Sequence, residues 1–381
     1  MPWPLITAIA SISVVGLATG VTLPLVSLRL THEGVSAATI ATMAALPAVG
    51  TLGISLCLSS LTRAFGSQAL LIAALALSCA SVLMLASPYA PLPWAASRLA
   101  MGVATGILFA LGESRILETS SDEVRGRWTG LYASTLTGCQ LAGPALLALL
   151  GPQSRAPIVI AAAMHVLAIA LLGSVRWQRA PAEREPPLPA REFLRNSLPL
   201  AVAVLFFAMF DSTVLSLLPL YGLAIGLSAR LAVLMVSVVL LGDTFLQVPT
   251  GWAADRLGRS RVHAACGLLT CLMALALPSI RLGSPALWAA LLLMGGAAGS
   301  LYTLAIVRIG DRFRGAQLIA ANAVVGFLWG TGSLIGPLLG SACMQLLRPY
   351  GLMLFVAAGA GLFLLSMLAR RPQAARRIGA A

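Results

Sequence analysis

Two carboxylates lie inside apolar runs, where an ionised acid is costly. Asp211 sits in FFAMFDSTVLSLLPL, and Asp243 in LLGDTFLQVPTG, with Gln247 one helical turn further on. A carboxylate among apolar residues must face water, meet a partner or take up a proton. Asp211 is thus a candidate for proton binding or for contact with a polar solute; its plainer reading is a side chain hydrogen-bonded to Ser212 and Thr213 at a helix irregularity. Asp243 and Gln247 share a helix face, which suits cavity lining and bonding between helices equally. Arg98, in ASRLAMG, is a cation in the same kind of run, able to face a cavity or to snorkel to the interface. Tyr302 follows Gly295-Gly296-Ala-Ala-Gly299-Ser300, a pattern of close helix packing, and its hydroxyl is a candidate contact for a small molecule.

A second set of charges stands at the ends of apolar runs. GWAADRLGRSR carries Asp255, Arg256, Gly258 and Arg259; DRFRG carries Asp311 and Arg314; DEVRG carries Asp122 and Arg125. Aspartates beside helix ends can cap them, and can pair with arginines of a neighbouring loop in ways that differ between conformations. These residues are candidate latch groups, against the plainer alternative of static surface pairs worth at most about 1 kcal/mol. Glu113 belongs with them, since Arg115, Arg125 and Arg127 lie near the same end.

Several chemistries are excluded. All 25 basic residues are arginine, so the phosphate-binding lysine of a Walker A loop does not exist and direct ATP-driven pumping by this chain is not expected. His32, His165 and His263 are scattered without metal-ligand spacing, and the six cysteines form no CxxC pair, so neither a metal centre nor another cofactor is expected. Clustered acids or histidines that an intramembrane enzyme would need are absent from the sequence.

The elements that position these groups follow from composition. Of 381 residues 59% are hydrophobic and 10% charged, whereas a soluble domain needs about a quarter charged. Apolar runs of about 20 residues, long enough to cross a bilayer as helices, recur at 6–28, 37–59, 68–87, 94–114, 128–150, 157–175, 198–221, 229–250, 263–281, 286–307, 317–342 and 351–369. The expectation is an all-α membrane protein of twelve transmembrane helices. With the N-terminus inside, one set of loops and the tail hold 19 arginines and the opposite loops only Arg29, Arg155, Arg230, Arg281 and Arg348. That asymmetry places both termini in the cytoplasm of a bacterial inner membrane. It also accounts for the net charge of +13 without a nucleic-acid partner. The first run is read as a retained helix, because no basic segment precedes it.

The chain divides in two. Residues 1–175 and 197–370 each hold six spans, joined by a Pro-, Arg- and Glu-rich linker at 176–196 and followed by a basic tail at 371–381. The two DxxRG loops lie about half a chain apart; Gly143-Pro144 is answered by Gly336-Pro337, and Gly66 by Gly258. Two six-helix pseudo-repeats of the same orientation are expected.

The segment from Gly251 to Arg261 resembles the signature loop of the major facilitator superfamily, a glycine followed by DRxGR between the second and third helices of a half. The equivalent first-half loop has Arg63 where the acid should stand. Glu113-Ser114 and Arg125-Gly126-Arg127 resemble the YcaD-like branch. Arg98 to Gly102 is similar to the RxxxG element of proton-coupled members, and Gly332, Gly336-Pro337 and Gly340 to the GxxxGPxxG element of drug–proton antiporters, there usually in span five. This resemblance implies the major facilitator fold and alternating access, with spans one, four, seven and ten lining a cavity. A monomer in the lipid bilayer is expected, exchanging a small organic molecule for protons or another coupling ion, with efflux as the preferred direction. Proton-coupled uptake of a nutrient, or a non-transporting sensor on a carrier scaffold, are the alternatives.

Overall fold

A computed structural model describes residues 3–119, 125–175, 190–313 and 316–369. Among them every regular element is helical: α1 (Trp3–His32), α2 (Ala37–Ser55), α3 (Leu58–Phe65), α4 (Ser67–Met84), α5 (Pro91–Thr119), α6 (Arg125–Leu150), α7 (Ala156–Gly173), α8 (Ala190–Ala224), α9 (Ala229–Leu257), α10 (Arg259–Ala276), α11 (Pro285–Arg312), α12 (Ala316–Leu346) and α13 (Gly351–Leu368), with a short 3₁₀ turn at Leu277–Ser279. Eleven are long and apolar enough to span a bilayer, and α6 supplies a shorter apolar stretch, Thr135–Leu150. All twelve expected spans are therefore helices.

The thirteenth helix is α3. The sequence reads span two through residue 59, but the helix stops at Ser55, and the polar segment that follows folds as a separate short helix. Its Phe65 is exposed, which suits a helix lying at the membrane interface. A second difference concerns residues 190–196, assigned from sequence to the linker. They form the opening turns of α8, set off by the non-helical Ser197 (φ −131°, ψ 30°) two residues before Pro199, whose ring cannot continue a regular helix. Phe193 anchors this segment by packing on Phe313, with ring centroids 5.7 Å apart.

The chain forms two compact units, Met1–Ala182 with Val214–Ser237, and Glu183–Thr213 with Val238–Ala381. In the first, Gly143 of α6 lies against the backbone of Gly20 and Val21 in α1, where an added Cβ would come within 2.3 Å. In the second, Gly336 of α12 meets Met209 of α8 in the same manner, and Gly332 meets Leu205 and Ala208 one turn earlier. Each Gly-Pro element thus seats its helix on the first helix of its own half. The interior prolines Pro144 and Pro337 each remove one helical hydrogen bond, a loss tolerated where neighbouring helices cover the backbone.

The repeat is sharpest at two other crossings. Where α5 crosses α2, Gly50 faces the Leu99 carbonyl, Gly102 the Pro47 carbonyl, and Gly106 the Ile54 side chain and the backbone of Thr51. Where α11 crosses α9, Gly242 faces the Leu292 carbonyl, Gly295 the Val239 carbonyl, and Gly299 the side chain of Asp243. The three contacts recur in the same order at one constant offset along each helix. Small residues let the backbones touch, which is how membrane helices associate without a hydrophobic driving force.

Candidate functional site

Arg98 is 1% exposed, seven residues into α5. Its Nε donates to the Met43 carbonyl of α2 at 3.2 Å and its Nη1 to Thr22 Oγ1 of α1 at 3.0 Å, with Met101 Sδ at 3.4 Å. These partners are neutral, and they tie three helices together. Gly102 completes the element, since the close approach of Pro47 leaves no room for a Cβ (1.8 Å). The RxxxG spacing thereby puts the tether and the contact point on one face.

Asp243 is the most buried acid among the described side chains of the second unit. It lies midway along α9 and is 7% exposed; Gln247 Nε2 donates to its Oδ1 at 2.8 Å. The carboxylate presses on α11 at Gly299, where a Cβ would stand 1.5 Å from Oδ1. The bond is one within α9, not between helices, and Gln247 also lines a cavity of about 260 Å³ between α9 and α11. Thr250, Asp255 and Arg259 continue that wall, and Ser300 and Thr303 face them.

At the end of this cavity Arg259, the first residue of α10, joins Asp255 of α9 at 3.6 Å and donates a short charged hydrogen bond to Asp311 of α11. Three helix ends meet on one guanidinium. The expected loop is a single residue, Gly258, whose φ of 94° only glycine adopts without strain. Gly66 repeats the same positive φ between α3 and α4. Asp255 therefore lies in the last turn of α9 and does not cap a helix N-terminus; among the described residues Arg259 pairs with it. Arg256 points elsewhere, with its guanidinium 3.9 Å above the Trp252 ring. Asp122 and Arg314 lie outside the described residues, as do the side chains of Glu113 and Arg125.

Aromatic side chains form a further group. Phe207 of α8 stacks on Tyr302 of α11 (5.5 Å) and packs on Trp329 of α12 (5.7 Å); Tyr302 and Trp329 meet edge to face at 5.1 Å, and Phe210 stacks on Phe207 at 6.2 Å. Asp211 follows Phe210 and is half-buried. Ser212 beside it donates to the Ala208 carbonyl at 2.9 Å, an ordinary back-bond within the helix. Sequence reading missed Trp329, which no pattern singles out from other tryptophans. It missed also the pairing of His263 with Arg308 (3.0 Å) and with the Leu301 carbonyl (3.0 Å), a contact between α10 and α11 that spacing alone does not reveal. Among the described residues no three His, Cys, Asp or Glu side chains gather as a metal site.

Comparison with known proteins agrees with this architecture. The sequence matches the Major Facilitator Superfamily profile over residues 8–242 and again over 200–380. It is 23% identical over 371 residues to an uncharacterised MFS-type transporter of Bacillus subtilis, YfkF, covering 95% of this chain and 94% of that protein. An uncharacterised MFS-type transporter of Yersinia pseudotuberculosis is 27% identical over 286 residues, covering 73% of this chain and 72% of the relative. Among solved structures, the nucleoside transporter NupG superposes with a TM-score of 0.74 at 13% identity, over 97% of this chain and 98% of that one. The D-xylose–proton symporter gives 0.70 at 16% identity, over 95% and 96%; at such identities the likeness is one of fold. With paired Gly-Pro contacts, a repeated helix crossing and a profile matching both halves, the chain belongs to the major facilitator superfamily and is a secondary transporter, not an enzyme.

Proposed function

We propose that this transporter exports small amphipathic organic molecules in exchange for protons, by alternating access in the bacterial inner membrane, with both termini cytoplasmic. The observation that carries the cargo class is the aromatic group of Phe207, Phe210, Tyr302 and Trp329, three helices contributing rings within about 6 Å of one another. Such faces suit an unsaturated or cationic ligand. A sugar would need more hydrogen-bonding groups than this cluster offers. Asp211, next to Phe210, is read as the charge that meets a basic cargo. An ion gradient supplies the energy, since the chain lacks any lysine for a Walker A loop. The Asp255–Arg259–Asp311 group is read as a latch whose pairs change as the transporter alternates, and the arginine asymmetry supports the orientation. The working unit is read as a monomer.

The test is reconstitution of the full chain in liposomes with ethidium, a planar fluorescent cation. Counterflow is expected, as is accumulation in vesicles with an acidic lumen that collapses with an uncoupler. Accumulation driven by an acidic exterior would instead mean uptake, and binding without exchange would mean a sensor.

A further inference from the structure

The slot that Asp243 fills exists twice in this fold. In the first unit the equivalent position at the α2–α5 crossing is Thr51, whose hydroxyl lies 3.1 Å from the Pro47 carbonyl and 2.9 Å from that of Gly102. The matching crossing is thus closed by a neutral hydroxyl that needs nothing beyond nearby backbone. In the second unit a carboxyl stands there, near the midpoint of a 29-residue membrane helix, where an ionisable group is expensive. Packing does not require the acid. Of the twelve acids in the chain, only Asp211 and Asp243 lie deep within spans.

A cavity also approaches it, reaching the side chain that bonds it. The cavity beside Asp255 and Arg259 runs along both helices to Gln247 and Ser300. These are the residue that bonds Asp243 and the neighbour of the glycine against which Asp243 rests. Its wall carries Gln247, Thr250, Ser300, Thr303, Asp255 and Arg259, enough polar partners to hold a file of water. At its outer end Asp255 is 70% exposed.

We propose that Asp243 binds the coupling proton, that the α9–α11 cavity is its water path, and that Gln247 is the positioning residue at the inner end; this rests on the proton-coupling reading above. A proton arriving through cavity water converts the carboxylate to a neutral acid, and Gln247 turns its amide to accept from the new O–H where it had donated an N–H. Release is the reverse. Among the described residues of α9 and α11 no other charged side chain stands at that level, and Asp211 belongs to α8. On α9 the nearest charged groups are Arg230, Asp255 and Arg256, all more than three turns away. From α11, Tyr302 packs in the aromatic group, Arg308 engages His263 of α10, and Asp311 engages Arg259 of α10, while Arg312 stands at the helix end.

The experiment is an infrared pH titration of the full chain in liposomes, following carboxylic-acid C=O absorption. We expect a band that grows as pH falls, vanishes in D243T and D243N, and persists in D211N. D243T should keep its thermal midpoint because Thr51 packs the same crossing, and D243N serves if it does not. Q247A should shift the titration midpoint without removing the band, and T303W, which fills the cavity, should slow its response to heavy water. In the same liposomes D243T should lose gradient-driven ethidium accumulation. A band unchanged in D243T, or heavy-water exchange indifferent to T303W, overturns the proposal. If the gradient drives wild type and D243T alike, proton coupling stands and the assignment to Asp243 falls. If the gradient drives nothing in wild type while the Asp243 band titrates, proton coupling falls and the proton site stands.

Discussion

Arg98 shows how a single buried cation can act as a bolt in this fold. Its donors end on a carbonyl of α2 and a hydroxyl of α1, so truncation strands both acceptors in the interior. Arg98→Met is expected to lose about 1–3 kcal/mol of stability, read as a lower thermal midpoint in detergent. Lysine should restore little, because a single ammonium cannot reproduce the fork. The neighbouring glycine makes a sharper case. Gly102→Ala drives a methyl into the Pro47 carbonyl and should cost about 1–3 kcal/mol by overpacking, whereas Gly53→Ala, which meets nothing within 4 Å, should be neutral or stabilising in the same melt. From sequence, Arg98 and Gly102 were visible as a pair. Their partners were not, because Met43, Pro47 and Thr22 carry no pattern that distinguishes them from other span residues.

At the scale of elements, the joint between α9 and α10 is one glycine, and the ends of α9, α10 and α11 converge on Arg259. The bridge is open to solvent, with Arg259 at 37% and Asp311 at 54% side-chain exposure, so its contribution to stability is about 1 kcal/mol or less. Arg259→Gln should therefore leave the thermal midpoint nearly unchanged while altering the rate of ethidium counterflow; unchanged counterflow would make the group a static surface pair. Gly258→Ala forces a side chain into a strained backbone region and should cost about 1–3 kcal/mol. The sequence foretold all twelve spans because a bilayer demands long apolar runs, and it foretold the Gly66–Gly258 match. It could not show that the link between α9 and α10 is one residue long, since nothing in GWAADRLGRSR marks where helix gives way to turn. Nor could it show α3, whose short mixed composition reads equally as loop.

For the whole molecule, the distribution of arginine makes a claim about orientation that chemistry can check. With Cys57 replaced by serine, a membrane-impermeant thiol reagent added to intact cells should label Arg281→Cys and spare Ser260→Cys, both positions being exposed. The reverse pattern would invert the topology. Organisation in repeats was legible because DxxRG and Gly-Pro recur in the same order in each half, the second interval being about one helical turn longer. The recurrence of the helix crossings was not, because alanine and glycine are abundant throughout and only contact geometry picks out those that matter. Thr51 and Asp243 are the clearest instance, two residues of different chemistry that no alignment by type would pair.

That equivalence also makes the scaffold editable. A carboxyl transplanted to position 51 would enter the crossing that corresponds to Asp243's, with Gly106 at the register position of Gly299 and the Ile54 side chain against that glycine. A chain carrying acids in both halves, or with the acid moved from one half to the other, would show whether proton binding at these crossings can be rewritten one side chain at a time.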